Sequence, residues 1–550
     1  MNDKPWLDHY DEGVPHTLAP YPPITLPDVL RQASKEVPDL PALLFLGSQM
    51  SYTELERQSD AFAAALHADG VRKGDRVAVL LPNSPQMIVA EFGIWKTGAI
   101  GVLLNPLWTE HEIERAIDEC EASVAVVLAP FYDKINALRS RTPLTRVVIT
   151  GIQDYLAAAP PGHSASNLHH GDVEMLAMIA SHRESALPVA DLSPKDPALF
   201  LFSGGTTGKP KCAIGRHEAL IMTGMQVDAW FTPVLGVERV PFMLNLPLHH
   251  VYPQAAMMSC AFLRRSPMVL VPDPRNFELL ISTIKHLEVG VLPGVPTLFN
   301  ALAAHPMLRE DPHTLDSLKL IISAAAPLHL ETRSRFEELT GATIIEAYGL
   351  TEAMVSPVGT PVIGTSKPGA VGLPVPDIEV RIVDADTGIE TLPPGEVGEV
   401  VIRSPQIMTG FWKEPEETAA VLRDGWIYTG DLGYLDDDGF LYIVDRKKDV
   451  IKPSGFQVWP REVEEAISTH PAVLECGVAG VPDDYQVEAV KAWVVLRKES
   501  TLDAEQLKNW CRQELAAYKI PKHIEFCAQL PKSGVGKVLR RVLVEQHNAG

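Results

Sequence analysis

Three short apolar runs do most to limit what this chain can fold into: DRVAVLLP at 75–82, GAIGVLLN at 98–105 and ASVAVVLAP at 122–130. Each is rich in β-branched residues with no polar face, and a helix-length segment separates it from the next. That pattern belongs to a mostly parallel sheet covered by helices, so the fold class is α/β. Before the first run, Thr53 and Glu56 read as a capping box. Leu55, Phe62, Ala65 and Leu66 share one helical face, and Gly70 closes the helix.

Further along, the texture changes twice. Residues 155–195, rich in Ala, Pro, His and Ser, read as a surface excursion without function. From 377 to 445 the runs DIEVRIVD, GEVVIRS and GFLYIVD, with turns at PPGEVG and DDDG, predict antiparallel strands and a β-rich subdomain. After DRKKDVIKPSG comes a unit of about 100 residues, an ordinary domain size, with a helix at PREVEEAIS and strands at LECGVAGV and VKAWVVL. The expected division is a large N-terminal domain, 1–447, and a small mobile α+β domain, 448–550. With 550 residues, 46% of them apolar, the chain can bury several cores.

The charge balance narrows the partners. Forty-eight basic against 70 acidic residues leave a formal charge of -22, which opposes broad binding to nucleic acid and allows at most peripheral membrane contact. Six cysteines without a CxxC pair suggest neither a zinc site nor a disulfide framework. No apolar run approaches the roughly 20 residues of a membrane helix, and the start lacks a basic stretch followed by an apolar one. A soluble, cytoplasmic protein is expected, with a homodimer allowed.

Residues 203–211, SGGTTGKPK, raise the question of phosphate binding. A Walker-type loop needs Gly where Ser203 stands and Ser or Thr where Pro210 stands, so this is not one. Its glycines can still expose N–H groups, its hydroxyls can donate, and Lys211 offers a point charge. By composition alone, a phosphate cradle and a glycine turn with solvated lysines are equally served.

Six other stretches decide between them: LPLHHVY at 246–252, SAAAPL at 323–328, YGLTEA at 348–353, YTGDLGYLDDDG at 428–439, DRKKDVIKPSGFQVWPREVEE at 445–465 and PKSGVGKVLRR at 531–541. Together with the loop, and in this order, they resemble the signature motifs of the adenylate-forming superfamily, which holds acyl-CoA synthetases, luciferases and peptide-synthetase adenylation domains. Gly204-Gly205 and the opening KPWLDHYDEGVPHTL are most similar to bacterial long-chain fatty acid–CoA ligases. The resemblance implies that ATP turns a carboxylate into an acyl-adenylate, which coenzyme A then attacks.

It also implies roles for residues. Ser203, Gly204, Gly205, Thr206, Thr207, Gly208 and Lys211 would hold the β- and γ-phosphates. Glu352 would ligate magnesium, with Thr206 as a further ligand and phosphate oxygens completing the shell. Tyr348 with Gly349 would stack on adenine, Ala324, Ala325 and Ala326 would line the base, and Thr351 would bond the α-phosphate. Asp431 and Arg446 would hold the ribose, and His250 would flank the substrate carboxylate. Lys537 would bridge carboxylate and α-phosphate during adenylation. For thioester formation Lys452 would replace it, with Ser454 and Gly455 along the coenzyme A tunnel and Lys448 as the hinge, because two loops more than 80 residues apart cannot share one small site.

Three positions depart from the family pattern. Ala324 stands for a usual Gly, Val535 for a Ser, and Cys212 for a Gly; Cys212 is expected buried and without a redox role. Met222, Met225, Trp230, Phe231, Met243, Met257 and Met258 form an adaptable apolar pocket or plain core. The leading function is an ATP-dependent ligase joining a medium- or long-chain fatty acid to coenzyme A, releasing AMP and pyrophosphate. An aryl–CoA ligase and a fatty acyl-AMP ligase share the fold, though the latter's insertion is missing between Gly439 and Glu465. A non-catalytic nucleotide-binding protein is the alternative of another class.

Overall fold

The computed structural model describes residues 4–156, 168–186, 190–203, 210–326, 328, 330–483, 486–498, 500–533 and 537–549. The apolar runs become the strands Arg76–Leu80, Ile100–Leu103 and Val124–Leu128, which pair in parallel within a seven-stranded sheet. A nine-stranded sheet stands beside it, with Leu320–Ala324 parallel to Val291–Gly294 on one side and to Ile344–Leu350 on the other. Side chains alternate between faces with the two-residue period of a strand. Val77 and Val79 thus enter a core shared with Leu320 and Ile322 of the other sheet, while Ala78 and Leu80 face a separate outer cluster.

Helices fill the layer between the sheets. All thirteen residues of the helix Pro85–Thr97 are buried, most of them apolar, and its polar side chains find partners inside, Lys96 with Glu56 at 2.7 Å and Glu91 with Gln254 at 3.0 Å. Five antiparallel strands, among them Glu379–Val383, Gly398–Arg403, Trp426–Leu435 and Leu441–Arg446, form the predicted β-rich subdomain. The last unit has a three-stranded sheet, with Val473–Asp483 and Val487–Leu496 as its long hairpin and the helix Pro460–Ser468 packed on it.

Two local expectations need correction. The helix Tyr52–Ala68 is capped by Ser51, whose hydroxyl accepts from Glu54 N at 3.2 Å, so Thr53 and Glu56 already lie inside the helix. Within 155–195, the strand Val173–Glu174 extends the seven-stranded sheet, and Met175–Ser181 is a helix that buries Met175, Met178 and Ile179. Its seven residues are too few for the helical period to show in sequence. No helix among the described residues is long and apolar enough to cross a membrane.

Candidate active site

One cleft of about 2180 Å³ runs between the nine-stranded sheet, the β-rich subdomain and the C-terminal unit. Its floor is where parallel strands end at their carboxyl edges, the usual place for a ligand in an α/β sheet. Leu320–Ala324 delivers Ser323, Ala324 and then Ala325, which takes the left-handed conformation with φ +68° and turns the chain out of the sheet. The Ser323 hydroxyl is buried there without a partner among the described residues.

The neighbouring strand Ile344–Leu350 carries Tyr348 and Gly349 to the same edge, and Thr351 and Glu352 follow in a tight turn. The turn closes through Met354, Val355 and Ser356, all at positive φ, so the chain doubles back against Gly349. A Cβ on Gly349 would lie 2.5 Å from the Val355 carbonyl oxygen, which is why only glycine fits. Glu352 follows this strand and turn rather than opening a helix, and burial raises its carboxyl above the usual range, opposed by Arg446 and Lys211.

Asp431 and Arg446 face each other across two antiparallel strands, Trp426–Leu435 and Leu441–Arg446. Arg446 Nε lies 2.9 Å from Asp431 Oδ1, and Tyr348 donates its hydroxyl to Oδ2 at 2.6 Å. Both oxygens are thus oriented while keeping lone pairs for a ligand. Lys537 comes from a hairpin turn of the C-terminal unit, where its N–H donates to Ser533 Oγ at 3.2 Å and Ser533 N–H donates back to Lys537 O at 2.8 Å. Its side chain is open to the cleft yet walled by protein. Burial, and then Arg446, pull its ammonium down to about 8.

Lys211 stands at the other end, paired with Glu417 and 5.3 Å from the Phe411 ring centre. Ser203 N–H donates to Lys211 O at 2.8 Å and closes the strand pair at the base of the loop. Gly204, Gly205, Thr206, Thr207 and Gly208 lie outside the described residues, as do Pro327 and Val535. His250 lines the cleft beside His249, their ring centres 4.5 Å apart, and burial lowers its imidazole to about 4, so the ring is neutral at pH 7.

Of the sulfur and aromatic stretch, Trp230, Phe231 and Met257 line the cleft. Met243 and Met258 are core, so the stretch serves both purposes. Cys212 is buried, its sulfur 3.8 Å from that of Cys120. Lys452, Ser454 and Gly455 do not line the cleft: the Lys452 N–H donates to Glu488 at 2.6 Å, and the Ser454 N–H to Gln486 O at 2.9 Å. Lys448 does reach it.

Sequence reasoning missed the group that holds this arrangement. Arg540, three residues past Lys537, reaches Asp445 at 3.1 Å, Asp449 at 3.3 Å and Glu464 at 2.7 Å. Arg461 adds its N–H to Asp445 Oδ2 at 2.8 Å and Nη1 to the Ile443 carbonyl at 2.6 Å. Asp445 and Ile443 precede Lys448 and both arginines follow it. The only trace in the sequence was an arginine within a longer motif.

The chain is similar to known proteins over nearly its whole length. Residues 30–412 match the family described as AMP-binding enzyme, and residues 462–537 its C-terminal domain. The chain is 38% identical over 559 residues to a protein of Bacillus subtilis named long-chain-fatty-acid–CoA ligase, covering 99% of this chain and 98% of that one. It is 32% identical to 4-coumarate–CoA ligase 2 of Nicotiana tabacum, over 91% and 90% of the two chains. The ATP-bound structure of MatB from Rhodopseudomonas palustris has 29% identity and a TM-score of 0.84, covering 95% of this chain and 99% of that one. The apo structure of the same enzyme, at equal coverage, scores 0.74.

Proposed function

The chain belongs to the AMP-binding enzyme family, and from that premise we propose how its cleft serves an ATP-dependent fatty acid–CoA ligase. The protein is an AMP-forming acid–thiol ligase that activates a fatty acid as its acyl-adenylate and transfers the acyl group to coenzyme A. What supports assigning the chemistry to this cleft is that Lys211, Tyr348, Glu352, Asp431, Arg446 and Lys537, from distant parts of the chain, all line it beside an apolar limb.

A carboxylate is a poor electrophile, and bringing it to the α-phosphate sets anion against anion. Catalysis is therefore a matter of neutralising charge and aligning two groups. We assign Lys537 to the bridge between them. Tyr348 packs the base, the orphaned Ser323 hydroxyl has a donor to offer near it, and Asp431 with Arg446 receives the ribose hydroxyls. Neutral His250 guards the entrance to the limb formed by Trp230, Phe231 and Met257, where burying each methylene of an acyl chain is worth about 0.8 kcal/mol.

Magnesium fits Glu352, a carboxylate raised by burial and facing the cleft, with phosphate oxygens and Thr206 as the remaining donors. When bound, the ion neutralises phosphate charge. After adenylation the small domain turns about Lys448 and exchanges Lys537 for the Lys452–Gly455 loop. The cytoplasm, where ATP and coenzyme A are held, is the compartment this chemistry suits.

Coenzyme A-dependent release of AMP, measured with acids from acetate to oleate and with benzoates, tests the reading. Turnover is expected to rise with chain length. Preference for a benzoate would reassign the limb, and no AMP release with any acid would refute the activity.

A further inference from the structure

Away from the charged end of the cleft, Glu91 is a buried carboxyl with no cation partner among the described residues. Glu91 lies in the helix Pro85–Thr97, wholly shielded from water. Gln254 Nε2 donates to its Oε1 at 3.0 Å, while its Oε2 has no partner among the described residues. Gln254 is equally buried, and its own Oε1 also lacks a donor. Leaving buried oxygens unpaired is costly. One proton on Glu91 Oε2 would answer both: Oε2–H would donate to Gln254 Oε1 while Gln254 Nε2–H donates to Glu91 Oε1, a two-bond acid–amide ring. An ionised carboxylate would leave two electron-rich oxygens in the same dry space. In keeping with this, burial pushes the Glu91 carboxyl up to about 8, and the opposing influence is the bond from Gln254.

Gln254 belongs to the π-helical turn Tyr252–Met258, which starts two residues after His250. Tyr252, Pro253, Ala256 and Met257 of this turn wall the cleft. A π turn is wider and less favourable than an α turn, and it persists where neighbours hold it, often at functional sites. Next along the same helix as Glu91, Phe92 packs edge-on to Phe262, their centroids 4.9 Å apart.

We propose that Glu91 is a neutral carboxylic acid whose paired bonds to Gln254 hold the π-helical wall of the acyl limb, which makes it a positioning residue for the fatty acid. The positional half rests on reading that limb as the acyl site; the protonation half does not.

Infrared difference spectra of wild type against Glu91→Gln, recorded at pH 7, should show the carbonyl band of a protonated carboxyl in the wild type. The paired bands of an ionised carboxylate would overturn the proposal. In kinetics, Glu91→Leu and Gln254→Leu should each raise KM for a long-chain acid about tenfold, the effect of orphaning one buried polar group, with KM for ATP unchanged. Glu91→Gln should stay close to wild type, because two amides close the same ring. The double variant Glu91→Leu/Gln254→Leu should lose no more than either single variant, because both substitutions remove the same ring, and losses that add would refute the pairing. Glu91→Gln as damaging as Glu91→Leu, or a Glu91→Leu enzyme with unchanged KM, would refute it. If the leucine variants do not fold, the infrared band and the glutamine variant still decide. The band is independent of the acid supplied, so a wrong substrate assignment would leave it standing.

Discussion

Lys537 meets the cleft at a pKa pulled down to about 8, so its charge is lost well below the pH at which an ordinary lysine titrates. Below that value it is a cation able to sit between carboxylate and α-phosphate; above it the amine neutralises nothing. The adenylation kcat/KM of the free enzyme should therefore fall with rising pH from about 8, approaching tenfold per unit. Lys537→Arg should flatten that fall, and a profile unchanged by the substitution would remove Lys537 from the step. Lys537→Ala should lose about 100- to 1000-fold in adenylation, the usual effect of deleting a group aimed at developing charge, and spare thioester formation from supplied acyl-adenylate. Gly349 is constrained differently. Ala there would drive a Cβ against the Val355 carbonyl 2.5 Å away, so Gly349→Ala should cost about 1–3 kcal/mol of stability and displace Glu352. Thermal unfolding and magnesium-dependent turnover would read the two effects.

At the scale of elements, strands deliver the residues and the turns after them aim them. Ile344–Leu350 puts Tyr348 at a sheet edge, and the run of positive φ at Met354, Val355 and Ser356 folds the chain after Glu352 back against the same strand, leaving Glu352 in the turn between. Such a run costs backbone energy and survives because the buried strand Val355–Gly359 holds it. The Lys452–Gly455 loop, proposed above to replace Lys537, stands outside the cleft. Gly455→Leu should consequently leave adenylation near normal and depress the coenzyme A step about a hundredfold, the scale of a misplaced reacting group. Rapid-quench measurement of the two half-reactions separates them, and equal loss in both would mean the loop serves folding only.

For the whole molecule, the question is what keeps Lys537 rather than Lys452 at the cleft. Asp445, just before Lys448, is gripped by Arg540 and Arg461 from beyond it, so the turn proposed about Lys448 would break these bonds. Asp445→Asn should loosen this orientation, lowering the adenylation rate several-fold while leaving thioester formation from supplied acyl-adenylate intact; a change confined to the second half-reaction would place the contact elsewhere in the cycle. By itself the sequence determined the α/β class, the three parallel strands beginning at Arg76–Leu80, the β-rich texture of 377–445, the helix at Pro460–Ser468 and the family motifs. These are written in local periodicity, turn chemistry and short spacings, which a chain carries before it folds. Only the tertiary structure decided that Ser51 and not Thr53 caps the helix Tyr52–Ala68, that Tyr348 reaches Asp431 and that Arg540 bonds Asp445 across Lys448. The same holds for Glu91 and Gln254, 163 residues apart: neither has a local pattern, because the meaning of a buried polar group comes from the partner that packing brings to it.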